Sequence, residues 1–224
     1  MPRRLRPTAP TAPDAVLVGD PGRALLLAQE LLEQPRMSNH ARGLWGYYGS
    51  TPAGDALTIQ STGIGGPSAA LVLGDLAEMG VQRAVRVGTC VGLGRGCKPG
   101  DLLVVGEAIA AGGSGAAFGV EQDAAVKPDR ELCERLLSEF EEERTASAIV
   151  SVDAHPEEAS RAAGAVAADM QTAPLLAKAR LLGVEAAAML IVSECAAGAG
   201  ALEKEALEDL ERRAGRVALA VLSG

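Results

Sequence analysis

Aromatic residues are nearly absent from this 224-residue chain: two Phe, two Tyr and one Trp amount to 2% of its sequence. A ligand bound here finds few rings on which to stack, and the core must be built from Ala, Val, Leu and Gly packed closely on a buried sheet. Basic charge is also scarce. Against 29 Asp and Glu stand 21 Lys and Arg, a formal charge of −8, which excludes the broad electrostatic footprint a nucleic-acid polymer requires. An anion site would have to be local. Only two histidines, His40 and His155, and four scattered cysteines, Cys90, Cys97, Cys133 and Cys195, are present, without a C-x-x-C pair. We read these as reduced thiols of a cytoplasmic protein and not as a metal site. No apolar run reaches the ~18 residues of a membrane span. The first residues, MPRRLRPTAP, are basic but lack the apolar centre of a signal peptide.

What the sequence does have is 48% hydrophobic residues and a regular alternation of β and α signals. Strands are expected at residues 15–19, 44–49, 56–61, 84–88, 102–107, 146–152 and 185–192, with a turn at 51–55 joining the second and third as a hairpin. Helices are expected at 22–32, at 67–79 with Pro67 in the first turn and Gly80 at the end, and at 129–142, 171–182 and 202–222. Ala206, Leu207, Leu210, Ala214, Val217 and Val221 give the last helix its apolar stripe. The pattern predicts an α/β domain over residues 14–224, with helices covering a mixed sheet, preceded by a flexible tail at 1–13.

Two apolar runs break at glycine beside an arginine: VLVGDPGR at 16–23 and VRVGTC at 85–90. Between them STGIGGPS at 61–68 is a third such break. Glycine lets backbone N–H groups approach an oxyanion, and arginine offers a planar charged fork for two of its oxygens. One such turn is ordinary in an α/β protein; three, two of them with arginine, point to a phosphate cradle at the carboxyl ends of the strands. Arg86, between Val85 and Val87, sits where desolvation demands an anionic partner. Asp153 reads as a cap or turn residue, Ser68 lacks a His-Asp partnership, and the acidic run Glu139, Glu141, Glu142 and Glu143 reads as a solvated helix face.

The motifs GDPGR, STGIGGPS and RVGTC, in this order and spacing, resemble the hexameric purine nucleoside phosphorylase and uridine phosphorylase family. NHARG at 39–43, KPGDLLV at 98–104, SVD at 151–153, DMQTA at 169–173 and IVSE at 191–194 extend the likeness over nearly the whole chain. The resemblance implies a three-layer α/β/α sandwich around a mixed, partly barrel-like sheet. It implies cleavage of a nucleoside by phosphate, giving free base and pentose 1-phosphate, with inorganic phosphate as co-substrate and no other cofactor. By position, Gly19, Arg23, Arg86, Gly88 and Thr89 match phosphate ligands, while Arg42 matches an arginine that reaches a neighbouring subunit's phosphate. That match implies a homo-oligomer, at least a dimer and in the family usually a trimer of dimers. Met170 and Gln171 fall where the ribose is held, Cys90 and Val91 lie toward the base, His155 lies near a base-stacking position, and Glu194 matches the catalytic carboxylic acid.

Departures from the family pattern fall on the sugar and base side. Gln171 replaces a glutamate, Val91 a glycine, and Leu207 the arginine that assists the acid in purine phosphorylases. The stretch 155–168 is shorter than in uridine phosphorylases and lacks their uracil-binding pair, so a purine or modified nucleoside is favoured over uridine. A nucleosidase using water and a catalytically impaired nucleoside- or phosphate-binding protein are the alternatives.

Overall fold

The computed structural model describes residues 4–94, 96–140, 146–156, 159, 164–196 and 200–223. Its elements run in the order β1 (Asp14–Val18), α1 (Pro21–Leu31), β2 (Glu33–Asn39), β3 (Gly46–Ser50), β4 (Ala56–Ser61), α2 (Gly66–Glu78), β5 (Arg83–Gly92), β6 (Leu102–Ala110), β7 (Ala125–Val126), α3 (Arg130–Ser138), β8 (Ser147–Ser151), β9 (Ala167–Asp169), α4 (Thr172–Leu182), β10 (Glu185–Cys195) and α5 (Lys204–Leu222). The strands form one mixed sheet in the order β10-β6-β8-β9-β5-β1-β4-β3-β2, and β10 pairs a second time with β5. That second pairing closes β10, β6, β8, β9 and β5 into a small barrel, from which β1, β4, β3 and β2 extend as an open wing.

Strand alternation divides the interior into two layers. Ala15 and Leu17 of β1, with Ala186, Ala188 and Leu190 of β10, face a core shared with Leu73 and Leu76 of α2 and Leu175 and Leu176 of α4. The intervening Val16 and Val18, with Ala187, Met189 and Ile191, face Leu27 and Leu31 of α1, Leu132 and Leu136 of α3, and Ala214, Ala218 and Val221 of α5. This is the expected α/β/α sandwich with a barrel-like sheet, and the scarcity of aromatics is met by alanine and glycine at the helix contacts. Among the described residues, no helix is long and apolar enough to cross a membrane.

Three expectations require correction. The residues expected to be a flexible tail are held from residue 4 onward: Leu5 is 1% exposed, and Asp75 of α2 accepts the N–H groups of Arg4 at 2.8 Å and Leu5 at 3.0 Å. Arg6 N–H donates to Asn39 Oδ1 at 2.8 Å, and Ala12 N–H to Thr58 Oγ1 at 2.8 Å. The physical reason is a buried carboxylate in α2 that needs donors and finds them in the backbone of this segment. Residues 1–3 lie outside the described set. Second, the strand expected to stop at Gly88 continues through Thr89 and Cys90 to Gly92, paired with β10 throughout. Third, the expected helix at 129–142 ends at Ser138, and Glu141, Glu142 and Glu143 lie outside the described residues. Lesser differences are the two-residue β7, three-residue β9 and exposed edge strand β2, none of which the sequence announces.

Candidate functional site

The carboxyl ends of β1, β4, β5 and β10 surround a cavity of about 650 Å³, the usual position for a ligand in an open α/β sheet. At the end of β1 the chain turns through Gly19 into α1. Asp20 caps that helix by accepting the N–H of Arg23 at 2.9 Å, Pro21 occupies the first turn, and Arg23 is thereby fixed at the helix N-terminus. Its Nε donates to Glu211 Oε1 of α5 at 2.6 Å, a pair joining residues 188 positions apart. Arg23 is 8% and Glu211 5% exposed.

Arg86, also buried, rises from the middle of β5 into the same cavity. Its Nη2 donates to Asp169 Oδ2 at 2.9 Å and its Nε to Thr172 Oγ1 at 3.2 Å. Asp169, at the end of β9, is itself saturated: it accepts from Ser151 Oγ at 2.5 Å, from Thr172 Oγ1 at 2.6 Å and from Thr172 N–H at 3.0 Å. The guanidinium lies flat against Gly88, where a Cβ would stand 2.6 Å from Cζ, Nη1 and Nη2. Glycine is required at position 88 by that close approach and not by a turn, which explains why the strand passes through it unbroken.

The third arginine belongs to the short 3-10 turn at Ala41–Gly43. Arg42 is exposed and holds a left-handed backbone, φ 62° and ψ 18°, a strained choice for a non-glycine residue. Buried Asn39 braces this turn through its side-chain amide to the Leu44 carbonyl, and Gln60 Nε2 donates to the same carbonyl at 3.0 Å. Arg42 lines both the main cavity and an adjoining apolar groove, where Ile64 is 84% exposed.

Beside β5, β10 carries a bulge: Val192 pairs with Cys90, and Glu194 with Val91, so Ser193 is the extra residue. Bulges re-aim side chains at the rims of sheets. Here the irregularity brings Ser193 and exposed Glu194 to the cavity wall, with Ser193 Oγ donating to the Cys90 carbonyl at 3.3 Å. Buried Gln171 also lines the cavity. Its Nε2 donates to the Gly63 carbonyl at 2.5 Å, and its Oε1 lies 3.1 Å from the Thr62 hydroxyl. The amide thereby ties the strand-to-helix turn after β4 to the segment between β9 and α4. Burial, aided by the Asp169 carboxylate and neighbouring thiols, pushes the Cys90 thiol well above its usual range, with Arg86 opposing; Cys90 is a neutral wall residue at pH 7.

The structure thus gathers Gly19, Arg23, Arg42, Arg86, Thr89, Cys90, Val91, Met170, Gln171 and Glu194 around one cavity. Gly88 lies beneath Arg86 and does not line it. His155 is exposed, at φ 48°, and its neighbour Pro156 lines the wall in its place. Leu207 packs against the core between the sheet and α5. Asp153 ties down the 112–118 segment, accepting Ser114 N–H at 3.0 Å and Ser114 Oγ at 2.5 Å, and Ser68 Oγ donates to the Thr62 carbonyl at 2.5 Å. Glu211 and Asp169 were missed as site residues. The signal for Glu211 was a carboxylate on the buried stripe Leu207, Glu211, Ala214 and Ala218 of an amphipathic helix, a place for charge only when paired.

Over 90 residues the chain is 36% identical to a DeoD-type purine nucleoside phosphorylase of Oceanobacillus iheyensis, a match covering 40% of this chain and 38% of that protein. Identity to the DeoD-type enzyme of Clostridium perfringens strain SM101 is 39% over 90 residues, covering 40% and 38%. These matches span about two fifths of the curated relatives' length. The crystal structure of uridine phosphorylase from Vibrio fischeri ES114 superposes with a TM-score of 0.80 at 24% identity, over 95% of this chain and 92% of that one, so the fold is shared. The family model described as the Phosphorylase superfamily matches residues 13–223. With its sheet, barrel closure and cavity in place, the chain belongs to the phosphorylase superfamily.

Proposed function

We propose that the protein cleaves the N-glycosidic bond of a nucleoside with inorganic phosphate, releasing free base and pentose 1-phosphate, and that a purine or modified nucleoside is preferred to uridine. The observation that carries this reading is the convergence of Arg23 and Arg86 on one cavity that Glu194 also lines. Phosphate approaches one face of the anomeric carbon as the C–N bond breaks on the other. The bonding pair passes to the base nitrogen, and the carboxylic acid of Glu194 supplies a proton to the departing base. Arginines hold the dianion at high effective concentration beside the developing ribosyl cation, so positioning and charge perform most of the work. Arg42, on an exposed strained turn at the rim, fits a role toward a second subunit's phosphate in a homo-oligomer.

The test is a nucleoside panel assayed with and without phosphate. Phosphate-dependent base release from purine nucleosides is the expected result. Equal release in phosphate-free buffer supports a nucleosidase instead, a reading favoured by the carboxylates already paired to Arg23 and Arg86. Phosphate binding without product from any nucleoside supports an impaired member of the family.

A further inference from the structure

We propose that Glu211 is a positioning residue for Arg23 and screens its charge, so that α5 sets how tightly the site holds an oxyanion. The inference rests on the reading of Arg23 as a phosphate ligand. The contact is end-on: one carboxylate oxygen meets Nε alone, at 2.6 Å. Neither terminal amino group of Arg23 donates to protein among the described residues. Nor are those groups buried and unsatisfied, since the buried side-chain polar atom without a partner there is Ser61 Oγ. They are therefore the part of this largely buried arginine that reaches the cavity it lines. One edge of the fork is held by Glu211 and the other is presented to a ligand.

Charge along the α1–α5 seam reverses at this point. Toward solvent the acid is on α1 and the bases on α5, where Glu30 meets Arg212 at 3.8 Å and also Arg216. At the buried end α1 supplies the base and α5 the acid. The cavity wall carries Arg23, Arg42 and Arg86 against Asp20, Asp169 and Glu194, and Glu211 lies behind it. An arriving phosphate therefore meets, in Arg23 and Arg86, guanidinium groups each already paired with a carboxylate of the protein. Glu211 holds Arg23 in place for that anion and, through its charge, weakens its grip, a combination that favours exchange of ligand over tight retention.

Two substitutions separate the parts. Glu211→Gln keeps an oxygen to accept Nε–H but removes the charge, and Glu211→Ala removes both. Calorimetric titration with inorganic phosphate is expected to show Glu211→Gln binding roughly three- to tenfold more tightly than the native protein. Glu211→Ala is expected to bind roughly tenfold more weakly than Glu211→Gln, because the two share a charge and differ in orientation. Where turnover is present, KM for phosphate follows the same order while KM for the nucleoside stays constant, with circular dichroism confirming the fold. The isosteric Gln variant alone decides the screening claim. Phosphate affinity in Glu211→Gln equal to or weaker than native, equal affinity in the two variants, or no phosphate binding by any of the three proteins overturns the proposal. Absence of base release with the binding order intact defeats the phosphorolysis reading and leaves the role of Glu211 standing.

Discussion

At the scale of single residues, Gly88 and Arg86 make one unit. The sequence reading placed Gly88 in a turn because glycine after an apolar run is the usual punctuation. The structure shows instead a strand residue stripped of its side chain so that a guanidinium can lie on it. Gly88→Ala therefore displaces Arg86 while leaving its partners intact. We expect a stability loss of about 1–3 kcal/mol and at least tenfold weaker phosphate binding, read by thermal melting and calorimetry. Arg86→Ala is a blunter change, since it leaves the buried Asp169 carboxylate without its cation. About 3–5 kcal/mol of destabilisation is expected, so loss of activity there has to be read beside a melting curve. Cys90 gives a third prediction: with its thiol held neutral by burial, it resists iodoacetamide at neutral pH in the native protein and reacts once the chain is unfolded, as peptide mass spectrometry will show. Modification of Cys90 in the folded protein at the rate of a free thiol contradicts the assignment.

At the scale of elements, legibility followed burial pattern. β1 and β10 were read within a few residues because their apolar runs are long, and α5 because its stripe repeats at three and four. β2 was not read: its first five residues are exposed, Pro35 interrupts it, and an edge strand of that kind has no alternation to detect. β9 is three residues long and exists because β5 and β8 supply its partners. The segment before β1 looked like a tail because its prolines and arginines carry no periodicity. Its order comes from Asp75, Asn39 and Thr58, all distant in sequence, a relation no local pattern expresses. The same is true of the pairing of Arg23 with Glu211. Asp75→Ala removes the acceptor of two backbone donors, one of them buried at Leu5. A cost of about 1–3 kcal/mol is expected, with faster amide hydrogen exchange at Arg4 and Leu5 and no change in the strands of the barrel. Unchanged protection of Leu5 contradicts that role.

At the scale of the whole molecule, the sheet holds the site together. Parallel strands β1 and β4 end together at Val18 and Ser61, while β5 and β10 run on past that level to Gly92 and Cys195, and around this step lie the arginine at the start of α1, the glycine turn after β4, the guanidinium over Gly88, and the bulge before Glu194. The motifs could be assigned to one cavity from sequence by their order and spacing, although Arg86 and Gly88 lie within β5 and not where a strand runs out. Their internal electrostatics could not, because Asp169 and Glu211 reach the arginines through tertiary packing. On the proposed reading, Arg23 and Arg86 of the phosphate side are each paired with a carboxylate, and Gln171 of the sugar side is already bonded to the Gly63 turn. The central claim is that phosphate, not water, takes the sugar. Phosphorus NMR of the protein incubated with a purine nucleoside and inorganic phosphate tests it most directly: a pentose 1-phosphate resonance growing in step with free base is the predicted result, and free base accumulating while the phosphate signal stays unchanged contradicts it.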